Sequence, residues 1–413
     1  MSTSLDVQCS LNKDYVKVGP EEQLVYLVAN LTPRASGAEA PPLPLNLSLV
    51  LDKSGSMEVE RKIENVREAA QYILDHLGPS DYASVVVFSD QAEVLIPAAR
   101  GGETSAAAKK KLDQLRADGS TFLSAGMRLG LREVEKHLGL DTLNKVLLLT
   151  DGETNFPNDE VTCLQVAQEG KARGIDWPCI GVGEDWNEDL LDRISDKNWK
   201  WIRSADEIIP FFEEQLKELQ ATLIRQATLR LHPSANVSID GIWKARPQVR
   251  RIHDADRGEV LLTELRRDET QSVVFALRTR PERAGTFRIA QLEVTFARPP
   301  EPEQSVTTDV VVTYTDQEGL LAAINPEVMQ LLERVFAAIQ IEKGEEMIAQ
   351  GRAREGTRVL RRATQRLEEM GEAELAADVA AVIDKAEGGQ LQGDKTAIKR
   401  LRAGTRRLTQ KVD

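Results

Sequence analysis

The chain has 413 residues, of which 41% are hydrophobic and 29% are charged, and it carries a formal net charge of −13. This length exceeds one typical hydrophobic core, so two or three domains are expected. The diffuse acidic balance, with a pI near 5.1, disfavours nucleic acid as the main partner, because phosphate binding requires clustered lysine and arginine.

The first residues contain neither the basic nor the apolar segment of a secretory signal. No stretch approaches the roughly 20 consecutive apolar residues that a membrane span requires. The three cysteines, Cys9, Cys163 and Cys179, match no CxxC spacing, so we expect free thiols rather than disulfides or a zinc site. These features predict a cytoplasmic protein without a membrane span.

Short stretches near the N-terminus alternate apolar and polar residues, as β-strands do. The alternation covers residues 5–30, with Leu5 and Val7 in one run and Leu24 and Tyr26 in a later one. A proline-rich stretch that ends at Pro44 follows and predicts a linker.

Between about residues 45 and 220, apolar strands alternate with amphipathic helices. The strands at residues 45–51 and 145–150 are mostly apolar, which is typical of parallel strands covered on both faces. Residues 92–96 are predicted to form a short antiparallel edge strand. We therefore predict an α/β fold with a doubly wound, mostly parallel, Rossmann-like sheet between helices.

From residue 221 to about residue 315 the pattern changes to alternating strands. Leu292 and Val294 point to one side of such a strand and their polar neighbours to the other, which is typical of an antiparallel β-sandwich. A pair of strands is only marginally stable in isolation. We therefore expect the strands of residues 5–30 to complete this sandwich, with the α/β domain inserted in it. The alternative is an α/β domain that is simply followed by the sandwich.

The chain from Asn325 onwards is predicted to be helical. Asn325 is a suitable N-cap and Pro326 a suitable first helical residue, and glycines divide the rest of the chain into three further helices. The last helix is strongly basic, which is typical of a solvated face; the sharper alternative is a docking site for an acidic partner or a membrane surface. Its basic residues are Lys395, Lys399, Arg400, Arg402, Arg406, Arg407 and Lys411.

These changes of pattern predict four segments. The N-terminal strands occupy residues 1–43 and the α/β domain occupies residues 44–220. The sandwich occupies residues 221–320 and the C-terminal helical region residues 325–413.

The residues that indicate chemistry follow the carboxyl ends of the predicted parallel strands, where open α/β sheets bind their ligands. Asp52, Ser54 and Ser56 come directly after the first strand, Thr121 stands at the start of a helix, and Asp151 follows a central strand. Two carboxylates and three hydroxyls are hard oxygen donors, which suit Mg²⁺, Ca²⁺ or Mn²⁺ and not Zn²⁺. A cation bound there stays partly uncompensated and attracts an incoming carboxylate.

At these residues the chain resembles the von Willebrand factor type A family, with its metal-ion-dependent adhesion site. The family pattern is D-x-S-x-S, then a distant Thr, then a distant Asp. Asp52, Ser54 and Ser56 match the first element, Thr121 the second and Asp151 the third. D-x-S-x-S alone would be a weak signal, but three separated motifs in the expected order are specific.

The resemblance covers about residues 45–220 and implies a bacterial-type multidomain protein that binds Mg²⁺, or alternatively Mn²⁺ or Ca²⁺. It implies that the three hydroxyls coordinate the cation directly and that the two carboxylates act through water or by orienting hydroxyls. An Asp or Glu of a partner protein would fill the sixth position, and Lys53 would further favour an acidic ligand.

The function that we expect is a metal-dependent protein interaction module, acting as an adaptor or scaffold and not as an enzyme. The resemblance also implies a partner from an ATPase, kinase or phosphatase system, as is frequent for bacterial proteins that look like this one. A metal-dependent phosphoester hydrolase is the first alternative, disfavoured because the site offers no general base besides the two carboxylates at the metal. A secreted adhesin is the second.

Overall fold

The computed structural model divides the chain into two compact units. One unit comprises Pro41–Thr222, and the other comprises Met1–Ala40 together with Leu223–Asp413. Pro41 and Pro42 of the predicted linker lie outside the described residues. The structure describes residues 3–35, 43–103, 106–139, 141–196, 198–252, 258–297, 302–388 and 395–408.

The elements follow one another along the chain as four groups. The first group contains the strands β1 (Thr3–Leu11), β2 (Tyr15–Lys17) and β3 (Gln23–Ala35). The second contains β4 (Leu45–Asp52), α1 (Lys62–His76), β5 (Tyr82–Phe88), β6 (Ala92–Arg100), α2 (Ala106–Asp113), α3 (Leu123–Glu135), β7 (Leu143–Thr150), α4 (Asp159–Ala172), β8 (Cys179–Val182), α5 (Glu188–Ser195), β9 (Trp199–Ile202) and α6 (Ile208–Gln220). The third contains β10 (Thr222–Pro233), β11 (Val237–Arg246), β12 (Arg250–Ile252), β13 (Glu259–Arg266), β14 (Gln271–Thr279), β15 (Gly285–Ala297) and β16 (Gln304–Thr315). The fourth contains α7 (Glu318–Leu321), α8 (Pro326–Ala349), α9 (Ala353–Glu369), α10 (Ala373–Glu387) and α11 (Lys395–Arg407).

The unit that begins at Pro41 is built on a sheet with the strand order β6-β5-β4-β7-β8-β9. Its described neighbours are parallel except for β5 and β6. Every residue of β4 is buried, because successive side chains point to opposite faces and helices cover both. Leu49 thus belongs to one apolar cluster and Val50 to the other. The predicted α/β fold is confirmed.

The other unit contains two five-stranded sheets, with the strand orders β1-β3-β14-β11-β12 and β13-β10-β15-β16-β2. The N-terminal strand β3 lies between β1 and β14, and Leu27 is the register partner of Phe275. Described pairs are antiparallel except for β16 with β2. One apolar cluster joins residues of both sheets, so the N-terminal strands and the strands after β9 share a core.

Helix α8 begins as predicted, with the Asn325 side chain accepting a hydrogen bond from the Val328 amide and Pro326 in the first turn. Its apolar side packs on the sheet face that carries Val274, while α9, α10 and α11 form a further core with its C-terminal half. Among the described residues, no helix combines the length and apolarity needed to cross a membrane.

Some basic side chains of helix α11 lie inside this helical bundle. Lys399 is fully buried, and Arg402 donates a hydrogen bond to Glu345 over 3.1 Å. Lys411 lies outside the described residues. The docking role that the charge run suggests for residues 395–411 stays a prediction.

Candidate metal centre

Strand β4 ends in a carboxylate that is completely buried. Asp52 Oδ1 accepts a hydrogen bond from the Ser54 amide over 2.8 Å, and Oδ2 accepts one from the Thr150 hydroxyl over 2.6 Å. Thr150 is the last residue of the neighbouring parallel strand β7, so the two strand ends hold this carboxylate between them. The carboxyl edge of the sheet therefore fixes the orientation of Asp52.

The environment of Asp52 disfavours its charge. The pKa of Asp52 is raised to about 6, chiefly by burial and to a smaller extent by the neighbouring carboxylate of Asp151. The hydrogen bonds from Thr150 and Ser54 oppose this rise in pKa without cancelling it. A divalent cation beside the two carboxylates would supply the compensating charge.

Three further motif residues meet beside Asp52. The Ser54 and Ser56 hydroxyls lie 3.1 Å apart, and the Ser56 hydroxyl donates to Asp151 Oδ1 over 2.7 Å. Ser54 and Asp151 are buried, whereas Ser56 is exposed. The group is therefore buried on the side of Ser54 and Asp151 and open to solvent on the side of Ser56.

Thr121 is brought to the same place by backbone contacts between loops. The Gly55 amide donates to the Gly119 carbonyl over 3.0 Å, and Gly119 adopts a positive φ of 73° that favours glycine. The Thr121 hydroxyl oxygen lies 3.7 Å from the point where a Cβ on Gly152 would stand. Thr121 thus lies beside the residue that follows Asp151.

Asn155, which the sequence patterns did not single out, holds Thr121 in position. Its side-chain oxygen accepts a hydrogen bond from the Thr121 backbone amide over 2.9 Å, and its backbone amide donates one to the Thr121 carbonyl over 3.1 Å. Next to this pair, the rings of Phe122 and Phe156 stack with centroids 4.3 Å apart. These contacts fasten the loop after β7 to the start of α3.

The donor set fits a hard divalent cation. Asp52, Ser54, Ser56, Thr121 and Asp151 present carboxylate and hydroxyl oxygens alone, the ligands that Mg²⁺, Mn²⁺ and Ca²⁺ prefer. In the described part of the chain, no group of three or more His, Cys, Asp or Glu residues is suited to a metal. Hydroxyls must therefore complete any coordination here.

Two lysines stand near the group in different situations. Lys53 forms an ion pair with Asp118, which lowers the pKa of that carboxyl, so the Lys53 charge is already balanced by an acid of this chain. Lys62, at the start of α1, donates instead to Asp151 Oδ2 over 2.8 Å. Lys53 was predicted to favour an acidic ligand, whereas Lys62 was not singled out from the sequence.

Comparison with known proteins agrees with this architecture. Residues 46–221 match the model of the von Willebrand factor type A domain, and residues 326–411 match that of the Sll0103-like C-terminal alpha-helical domain. A von Willebrand factor type A protein from Catenulispora acidiphila has the same fold, with a TM-score of 0.75 at 20% identity over 97% of this chain and 96% of its own.

Two curated relatives match most of the chain. Protein sll0103 of Synechocystis sp. is 28% identical over 65% of this chain and 65% of its own length. Protein YfbK of Escherichia coli is 23% identical over 63% of this chain and 48% of its own length. The matches thus span less than two thirds of these relatives. The chain contains a von Willebrand factor type A domain at residues 46–221 and a Sll0103-like helical domain at residues 326–411.

Proposed function

We propose that the von Willebrand factor type A domain binds Mg²⁺ and, through it, a carboxylate of a partner protein. The observation that carries this proposal is the convergence of Ser54, Ser56 and Asp151 beside the buried Asp52, with Ser56 open to solvent. When bound, the cation would supply a Lewis-acidic position for an incoming oxygen ligand.

The five motif residues would have different roles in binding the cation. Ser54, Ser56 and Thr121 would hold the cation through neutral oxygens, while Asp52 and Asp151 orient the hydroxyls and balance part of its charge. An anion a few ångströms from a partly compensated dication gains several kcal/mol, about 4 kcal/mol per pair of unit charges at intermediate dielectric. This favours an Asp or Glu side chain as the partner's ligand.

The proposal describes an adaptor or scaffold, one that would serve an ATPase, kinase or phosphatase system. We also propose a cytoplasmic location, where the three cysteines would stay reduced. A phosphoester hydrolase is less well supported, because the described residues around the group include no histidine or further carboxylate contacting Ser56 or Asp151. Phosphoester turnover that disappears in Asp151→Ala would favour the hydrolase.

The test is calorimetric titration of the full chain with Mg²⁺ and Mn²⁺. We expect binding by the wild type and its loss, by at least about a hundredfold, in Ser54→Ala and Asp151→Ala, because each variant removes an oxygen from the group. Ser120→Ala is the matched control: Ser120 is exposed, and its amide, not its hydroxyl, is bonded to Asp90.

The carboxylate step has its own readout. Water-proton relaxation by bound Mn²⁺ should fall when acetate is added, since acetate would displace a coordinated water. Binding that survives unchanged in both folded site variants would contradict the metal centre. If Mn²⁺ binds but the water-proton relaxation does not change with acetate, the metal centre stands and only the coordination of a partner's carboxylate is contradicted.

A further inference from the structure

Lys62 reaches the candidate metal centre from outside the motif residues. Its ammonium nitrogen lies 2.8 Å from Asp151 Oδ2, and the two side chains are only 13% and 0% exposed. The other lysine near the group pairs with Asp118, whose side chain is 68% exposed. The Lys62 ion pair is therefore shielded from solvent, where charge interactions are strong.

The two oxygens of Asp151 have separate partners. Oδ1 accepts from Ser56, a predicted metal ligand, while Oδ2 accepts from Lys62. One carboxylate thus faces the metal centre with one oxygen and an internal cation with the other.

The loop after β8 limits where the ammonium can go. A Cβ on Gly183 would lie 3.5 Å from the Lys62 nitrogen, and Gly183 has a φ of 73°, so the backbone approaches the ammonium at a residue without a side chain. The Gly183 carbonyl accepts hydrogen bonds from the indoles of Trp186 and Trp201, over 3.0 and 2.6 Å. The loop is thereby fixed, and the Lys62 ammonium is held between it and Asp151.

We propose that Lys62 is a positioning residue that acts as an internal counter-ion for Asp151 and weakens the grip on the divalent cation. Without the cation, the ammonium balances Asp151 beside the buried Asp52. With the cation bound, ammonium and dication share one carboxylate and repel each other across a few ångströms of shielded space. Lys62 therefore stabilises the metal-free domain and lowers its metal affinity, and this inference rests on the proposed metal centre.

The test compares Mn²⁺ affinity by calorimetry with the melting temperature in EDTA, using the full chain. We expect Lys62→Met to bind Mn²⁺ about tenfold more tightly or better, because the repulsion is removed. We expect its metal-free melting temperature to fall, because Asp151 loses its counter-ion. A residue with a merely structural role would not raise affinity.

Two further variants keep the test sharp. Lys62→Gln removes the charge but keeps a hydrogen-bond donor for Asp151, so it should also tighten binding and covers the case in which Lys62→Met does not fold. Lys136→Met is the matched control, since Lys136 pairs over 2.5 Å with the largely buried Glu133 near the far end of α3. Its Mn²⁺ affinity should equal that of the wild type.

Failure of this inference differs from failure of the metal centre. If the wild type binds Mn²⁺ and the folded neutral variants bind it equally or more weakly, the counter-ion role of Lys62 is wrong and the centre stands. If neither the wild type nor any variant binds Mn²⁺, the metal centre and the role of Lys62 fall together.

Discussion

The α/β unit and the sandwich both bury strands in apolar cores, but they differ in the polar groups that they bury with them. The buried polar residues of the described sandwich strands are neutral: Thr32, Thr222, Gln271, Ser272, Thr279 and Thr315. Buried carboxylates among the described residues occur only in the α/β unit, at Asp52, Glu133, Asp151, Asp159 and Glu188. Since a buried carboxylate is costly unless its charge is compensated, the described part of the α/β unit requires such compensation, and a bound cation would supply part of it at Asp52 and Asp151.

Strand β4 shows that burial of polar groups is not by itself a sign of function. At its start, the Asn46 amide donates to the Val134 carbonyl over 2.8 Å and to Asn144 Oδ1 over 3.0 Å. At its end, Asp52 is a carboxylate whose pKa burial raises to about 6. The first group is neutral and satisfied within the protein, whereas the second carries a charge that a cation would stabilise.

The largest effect is expected in the sandwich. Phe275 is fully buried on β14, between its register partners Leu27 and Ile242. Phe275→Ala should lower the free energy of unfolding of this unit by about 3–5 kcal/mol, because it leaves a cavity in a closely packed core. Denaturant titration should show this loss while Mn²⁺ affinity stays at the wild-type value. A large loss of affinity would show that the binding function does not belong to the α/β unit alone.

A smaller effect is expected at the start of β4. Asn46→Ala should lower the free energy of unfolding by about 2 kcal/mol, because it leaves the buried Asn144 side-chain oxygen without its donor and removes one of the donors to the Val134 carbonyl. Metal affinity, measured on the folded variant, should change by less than about twofold, since the substitution lies at the opposite end of the strand from Asp52. A strong effect on metal affinity would contradict the assignment of a purely structural role to Asn46.

The sequence predicted the fold where local patterns are uninterrupted. The mostly apolar β4 and the N-cap at Asn325 were predicted directly, because burial and capping depend on neighbours along the chain. Strand β11 does not show such a pattern: its register shifts between Ile239 and Gly241, so its side chains do not keep the period of two by which strands are recognised. Bulges of this kind are set by the neighbouring strand.

The candidate site shows the same limit. The five motif residues could be placed together because the carboxyl ends of parallel strands meet at one edge of a sheet. The position of Lys62 beside this group could not be predicted, because the direction of its side chain depends on the turn before α1. In that turn Glu60 and Arg61 adopt positive φ angles of 56° and 58°. Residues of these types rarely do so, and nothing in the sequence indicates it. The contacts of Asn155 with Thr121 likewise depend on how two distant loops meet.

The smallest change in stability, with the opposite sign, is expected for Asp52→Asn. The amide keeps an oxygen for the Ser54 amide, and its nitrogen can donate to the Thr150 hydroxyl, which lies 3.3 Å from the Gly152 carbonyl as an alternative acceptor. The variant therefore retains its hydrogen bonds and loses a buried charge. Its metal-free stability should rise by about 1–2 kcal/mol at neutral pH.

The same substitution should weaken Mn²⁺ binding by at least about a hundredfold, because one of two compensating charges is lost. Denaturant titration in EDTA and calorimetry on one preparation measure both effects. The start of β4 provides no such trade, since Asn46 and the groups it donates to, the Val134 carbonyl and the Asn144 side chain, are neutral. An Asp52→Asn variant that is less stable without metal would show that the Asp52 carboxylate stabilises the fold. Asn46 and Asp52 would then both be structural residues, and the two ends of β4 would differ only in position.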